Sequence, residues 1–133
     1  MIITLCGSAR FEDKFKYWNK VLTLAGHTVF SLAVYPSDEG GKDWYSAEEK
    51  LALDRAHIQK IDASEAILII NSGAYIGEST QREVDHAIRI GKMRFYTSIV
   101  PNADQEGKRI CPYTYCTDKG NIFSYPPCAV CYE

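Results

Sequence analysis

Apolar positions along this chain alternate between short continuous runs and stripes at helical spacing. Residues 2–6 (Ile-Ile-Thr-Leu-Cys) are a short apolar run closed by Gly7-Ser8, the pattern of a buried strand ending in a tight turn. Phe11, Phe15, Trp18, Leu22 and Ala25 then recur every three or four residues. That spacing predicts a helix over 12–25 with one apolar face, stopped by Gly26. Residues 27–34 read as a second strand, with Thr28, Val29, Phe30 and Leu32. A polar stretch at 35–45, holding Trp44 and Tyr45, reads as a loop suited to ligand contacts.

Ser46-Ala47-Glu48-Glu49 has the form of a capping box opening a second helix that runs to about residue 63. Leu51, Ala56, Ile58 and Ile61 are its expected inward positions. Residues 65–70 (Glu-Ala-Ile-Leu-Ile-Ile) are the clearest buried strand, ended by Asn71-Ser72-Gly73. Ser79 or Thr80 is expected to cap a third helix through Ile90, with Val84, Ala87 and Ile88 as its stripe. Residues 93–99 read as a fourth strand. Strands alternating with helices imply right-handed crossovers and a parallel sheet covered on both faces. The expected fold is α/β: a small Rossmann-like parallel sheet of four to five strands flanked by helices, over residues 1–100. Beyond it, 101–133 form an irregular tail rich in Cys, Tyr and Pro. In such sheets ligands bind beyond the carboxyl ends of the strands, so residues 7–10, 35–45 and 71–83 should converge there.

The 133 residues suffice for one core, and 46% hydrophobic with 24% charged residues is a globular balance. A net charge of −2 and a pI near 5.9 argue against a dedicated nucleic-acid or membrane-surface binder. The sequence holds no run of 18 apolar residues and no signal-like start. A reducing cytoplasmic setting is therefore expected, with the five cysteines as thiols or metal ligands.

Three groups of residues could carry chemistry. Gly7, Ser8 and Arg10, at the end of the first strand, offer a close backbone approach, a hydroxyl and a guanidinium to a phosphate or sugar. The same turn is also a common strand-to-helix connection. Gly77, Ser79 and Thr80 precede Glu83, where helix N–H groups make an anion site; the alternative is plain capping, with Glu83 in the first turn as partner of Thr80. Asp54 on the second helix and Glu83 on the third could meet at the switch region as paired carboxylates, which glycosidic chemistry uses. Asp54 otherwise belongs to a solvated helix face. His27, His57 and His86 show no metal spacing and read as structural or surface groups, and Cys6 as buried packing.

Leu5-Cys6-Gly7-Ser8-Ala9-Arg10 resembles the opening of the 2′-deoxynucleoside 5′-monophosphate N-glycosidases, within the nucleoside 2-deoxyribosyltransferase superfamily. Asp54, eight residues before Asp62 and the strand that follows, is similar to the family's catalytic-region aspartate. Glu83-Val84-Asp85-His86-Ala87 with Gly91-Lys92 resembles the family's Glu-Leu-Gly-x-Ala and Gly-Lys. The stretch from Gly77 to Glu83 departs from the family's Gly-x-Gly-x-Glu and is similar to the Gly-Thr-x-x-Glu of the lysine-decarboxylase-like phosphoribohydrolases. Thr4 stands where the family commonly has a tyrosine.

The resemblance implies that Glu83 attacks C1′ of the sugar and that Asp54 assists at the base or a sugar hydroxyl. It implies that Ser8 and Arg10 belong to the nucleotide pocket, and that Ser79, with Thr80, binds the 5′-phosphate. It also implies a homodimer. The expected activity is N-glycosidic hydrolysis of a nucleoside 5′-monophosphate. The alternatives are deoxyribosyl transfer between bases and a non-catalytic nucleotide sensor. The substrate is a small nucleotide, and no metal or redox cofactor is needed for that step. In the tail, Cys111, Cys116, Cys128 and Cys131 lie within 21 residues and could hold one structural zinc; the alternative is four free thiols.

Overall fold

The computed structural model describes residues 1–39 and 45–97, together with the backbone of residues 108–109. The four tail cysteines and Trp44 lie outside the described residues. The elements are β1 (Ile2–Gly7), α1 (Glu12–Leu24), β2 (Thr28–Phe30), α2 (Ala47–Asp62), β3 (Ala66–Ile70), α3 (Glu78–Arg89), β4 (Met93–Tyr96) and β5 (Lys108–Arg109). The sheet order is β2-β1-β3-β4-β5. Every pairing is parallel. This is the α/β architecture the alternating pattern implies, with β5 as a two-residue addition at one edge.

The all-apolar segment Ala66–Ile70 is buried at every position because β3 lies inside the sheet with helices on both faces. On β1 the faces separate by alternation. Ile3 and Leu5 pack with Phe15, Trp18 and Leu22 of α1. Cys6 packs with Ile61 of α2 and with Val84 and Ala87 of α3 on the opposite face. Thr4 shares that second face and hydrogen-bonds Ser64. A polar residue in a strand core is tolerable when its hydroxyl is matched in this way.

The box at Ser46 forms as expected. Its hydroxyl accepts from Glu49 N at 3.1 Å, and Glu49 accepts from Ser46 N at 3.2 Å. Several expectations are corrected. β2 spans only Thr28–Phe30. Leu51 and Ile88 are exposed, at 53% and 48%. Each lies on the solvent arc of its helix, where nothing among the described residues covers it. The N-cap of α3 is Gly77, without a side-chain bond, so neither Ser79 nor Thr80 caps that helix. Starting at Glu78, α3 has Glu83 as its sixth residue, past the first turn, and no box with Thr80 forms. Among the described residues, no helix is long and apolar enough to cross a membrane.

Candidate active site

The sheet order reverses at β1, since β2 lies to one side of it and β3 to the other. A crevice opens at such a switch point, beyond the strand ends. There lies a cleft of about 780 Å³, lined by residues from five segments. This volume is in the range of small-molecule sites. Ser8, Ala9, Arg10 and Glu12 follow β1; residues 32–36 follow β2; Lys50, Leu53, Asp54, His57 and Lys60 come from α2; Glu83 comes from α3. Tyr45, at the end of the long loop, also lines it.

Gly7 shapes the entrance to this turn. Its φ is +154°, and a Cβ there would sit 2.8 Å from the Ile70 carbonyl oxygen. Only glycine lets β1 and β3 stay this close at their carboxyl ends. Ser8 accepts from Arg10 N at 3.4 Å. The Arg10 guanidinium stacks over Tyr75 at 3.7 Å from the ring centroid. Tyr75 in turn lies against Gly77, with its hydroxyl 3.2 Å from where a Cβ would be. Arg10 is thereby tied to the loop that leads into α3. Glu12 is committed to structure: it accepts from Lys16 and from Ser37, and these bonds, Lys16 first, bring its pKa down to about 2.

Asp54 and His57 are three residues apart on α2 and so share a face, with Asp54 exposed and His57 buried. Glu83 meets them from α3, beside Val84 and Ala87, which anchor that helix on the sheet. Its Oε2 is enclosed and, among the described residues, makes no hydrogen bond of ordinary geometry, although the Cys6 thiol lies close enough to act on the carboxylate. His57 Nε2 is 3.7 Å away, and the same nitrogen is 3.7 Å from Cys6 Sγ. The separation from Oε2 exceeds ordinary N–H···O range, whereas the contact with sulfur is a long hydrogen bond.

Burial, foremost, pushes the Glu83 pKa up to about 7. The nearby Asp54 charge adds to this, while the Cys6 thiol and Arg82 pull the other way. Burial brings His57 down to about 4, assisted by Lys60, so its imidazole is neutral at pH 7. Burial pushes the Cys6 thiol well up, with Glu83 adding to it, so Cys6 is not a thiolate nucleophile. A largely enclosed carboxylate near half-ionisation at neutral pH, in one cleft with a second carboxylate, has the makings of an acid–base or nucleophilic centre.

The cleft thus brings together Ser8, Arg10, Asp54 and Glu83 from three separate segments, while Gly7, next to Ser8 in the chain, does not line it. It does not bring in Ser79 or Thr80. Ser79 is exposed and accepts from Arg82 at 3.2 Å, and Thr80 is buried in the helix–sheet packing. The residue that sequence reasoning missed is His57. Its signal was its spacing of three from Asp54, which puts both on one helical face. His86 bonds Asp62 at 2.7 Å and His27 the chain's amino group at 2.9 Å, both away from the cleft.

No protein-family model and no curated protein matches the sequence. Among solved structures, the chain is similar to a 2-deoxyribosyltransferase from Bacillus psychrosaccharolyticus. The TM-score is 0.56 and the identity 20%, over 76% of this chain and 77% of that one. The chain has the nucleoside 2-deoxyribosyltransferase-like fold, a Rossmann-like parallel sheet flanked by helices.

Proposed function

We propose that the protein is an N-glycosidase that hydrolyses the base–sugar bond of a nucleoside 5′-monophosphate, releasing free base and sugar phosphate. The observation that carries this reading is Glu83: a carboxylate oxygen enclosed and, among the described residues, without a well-formed hydrogen bond, in a nucleotide-sized cleft that also holds Asp54. N-glycosidic cleavage builds positive charge at C1′, and a carboxylate positioned there stabilises it or attacks it. In the attacking form, the Glu83 oxygen bonds C1′ as the C1′–N bond breaks. Water then displaces the carboxylate. Asp54, exposed at the cleft, acts at the departing base or a sugar hydroxyl. Arg10 and Ser8 receive the phosphate, and Tyr35 and Tyr45 give aromatic surface for a base. Ser79 and Thr80 have no part in this reading, because neither lines the cleft.

The test is incubation with ribo- and deoxyribonucleoside monophosphates and chromatography of released base. Release that disappears in Glu83→Gln supports the reading; release unchanged in that variant ends it. Transfer of deoxyribose between bases is the second reading, favoured by the fold shared with a 2-deoxyribosyltransferase. A free acceptor base then accelerates turnover and appears in a new nucleotide. If no nucleotide is turned over but one binds, the site is a sensor. A homodimer in the cytoplasm completes the proposal, and sedimentation at micromolar concentration tests the assembly.

A further inference from the structure

Cys6, His57 and Glu83 arrive from β1, α2 and α3 and meet beside the cleft, which His57 and Glu83 line. Their ligand-capable atoms all lie within 4.8 Å of one another. His57 Nε2 stands 3.7 Å from both Cys6 Sγ and Glu83 Oε2. Enclosed polar atoms without a well-formed hydrogen bond are rare in folded proteins, and among the described residues Glu83 Oε2 is one. A tetrahedral zinc with Zn–S of about 2.3 Å and Zn–N or Zn–O of about 2.1 Å sets neighbouring ligand atoms about 3.5 Å apart. The separation from Sγ is a long sulfur hydrogen bond and that from Oε2 is beyond N–H···O range, and both are close to that edge.

The donor set is that of a borderline-soft cation. Thiolate and imidazole select zinc over magnesium or calcium, which take oxygen ligands. One thiolate and one carboxylate balance a dication, so the filled centre is neutral and suited to a buried position. The imidazole is bonded to the Leu5 backbone, the kind of outer partner that orients a histidine ligand. Three protein ligands leave one of four positions open, and His57 and Glu83 both line the cleft.

We propose that Cys6, His57 and Glu83 form a site for a zinc-class divalent cation, with its fourth coordination position opening onto the cleft. Binding forms one bond each from sulfur, nitrogen and oxygen to the metal. It releases the Cys6 proton, and the proton of any neutral Glu83, to solvent, so affinity rises with pH. An occupied site withholds Glu83 from C1′, so the cation inhibits base release; this consequence alone rests on the N-glycosidase reading.

The test is titration of the reduced, metal-stripped full chain with Co(II), followed by competition with zinc. The absorption read is the thiolate-to-cobalt charge-transfer band. To silence the tail, the titration is repeated on full-length protein carrying Cys111→Ser, Cys116→Ser, Cys128→Ser and Cys131→Ser. Expected is one equivalent with a single-thiolate band. Cys6→Ser should remove that band. His57→Gln should weaken binding by more than the roughly 10–100-fold that loss of an outer partner costs. In wild type, the spectrum lost on Cys6→Ser gives the same reading independently of the four serines. Thermal melts with and without zinc check that each variant folds. Absence of a saturable band in the four-serine protein and of any wild-type difference on Cys6→Ser overturns the site. So does a band that both Cys6→Ser and His57→Gln leave unchanged. Because substrate takes no part, this failure is separate from a failure to release base.

Discussion

At the residue scale, Glu83 is defined by what surrounds it rather than by its place in a motif. Removing its charge in Glu83→Gln should cut base release by roughly 10²–10⁴-fold with the fold intact, as loss of a positioned catalytic group does. Chromatography of the base and a circular dichroism spectrum check the two halves. The carboxylate has a pKa of about 7 and works ionised, so kcat/KM should rise with pH through about 7. Burial is the main cause of that value, and Asp54 raises it further. Asp54→Asn should therefore move the rising limb to lower pH, besides slowing turnover. A limb that stays in place would detach Asp54 from Glu83. Gly7 is a residue-scale constraint of another kind. Gly7→Ala should cost about 1–3 kcal/mol, because its Cβ would press on the Ile70 carbonyl at 2.8 Å. A chemical denaturation curve reads it.

At the scale of elements, the site depends on how α2 and α3 are held. α2 begins at a complete capping box and buries His57 and Ile61. Asp54 and His57 lie two to three turns from that cap, on the segment it anchors. Ser46→Ala should cost about 1 kcal/mol, seen as a melting point lower by several degrees. Amide exchange should quicken in the first turn of α2 before it does in β3. α3 has no side-chain cap and is held by Val84 and Ala87 against the sheet. The expected capping role of Ser79 and Thr80 fails because the helix starts one residue earlier than the first of them. Capping motifs are short, and neighbouring Gly, Ser and Thr offer competing starts that only packing resolves.

At the scale of the whole molecule, His57 and Glu83 load the pH dependence of stability in opposite directions. His57 falls from 6.5 to about 4 in the folded protein. The unfolded chain therefore binds the extra proton, and this contribution is lost as pH falls from 6.5 through about 4. Glu83 rises from 4.5 to about 7, so the folded protein holds the extra proton. Its contribution is present below 4.5 and lost as pH rises through about 7. Between about pH 4.5 and 6.5 the two slopes oppose, and the wild-type stability curve should be nearly level there. Glu83→Gln removes one slope, so that variant should lose stability steadily on acidification across this window. Urea midpoints at several pH values test it, and matching curves for the two proteins would refute the assignment of these protonation states.

The order of elements, the parallel sheet and the faces of α1 were legible in the residues. Burial on both sides of β3 demands a continuous apolar run, and one-sided burial of α1 demands a stripe at helical spacing. Local periodicity carries that information without knowledge of the partner surface. The pairing of Asp54 with Glu83 was also foreseeable, since α2 and α3 flank the switch point in this topology. What Cys6, His57 and Glu83 do together was not. They stand 51 and 26 positions apart in the chain and become neighbours only when β1, α2 and α3 pack on one face. Their proton affinities follow from burial, which is a property of the packed structure, so the spacing of these residues in the sequence could not report it. The separation of Ser79 from the cleft has the same origin: one residue of helix rotates a side chain by about 100°, from a site to solvent.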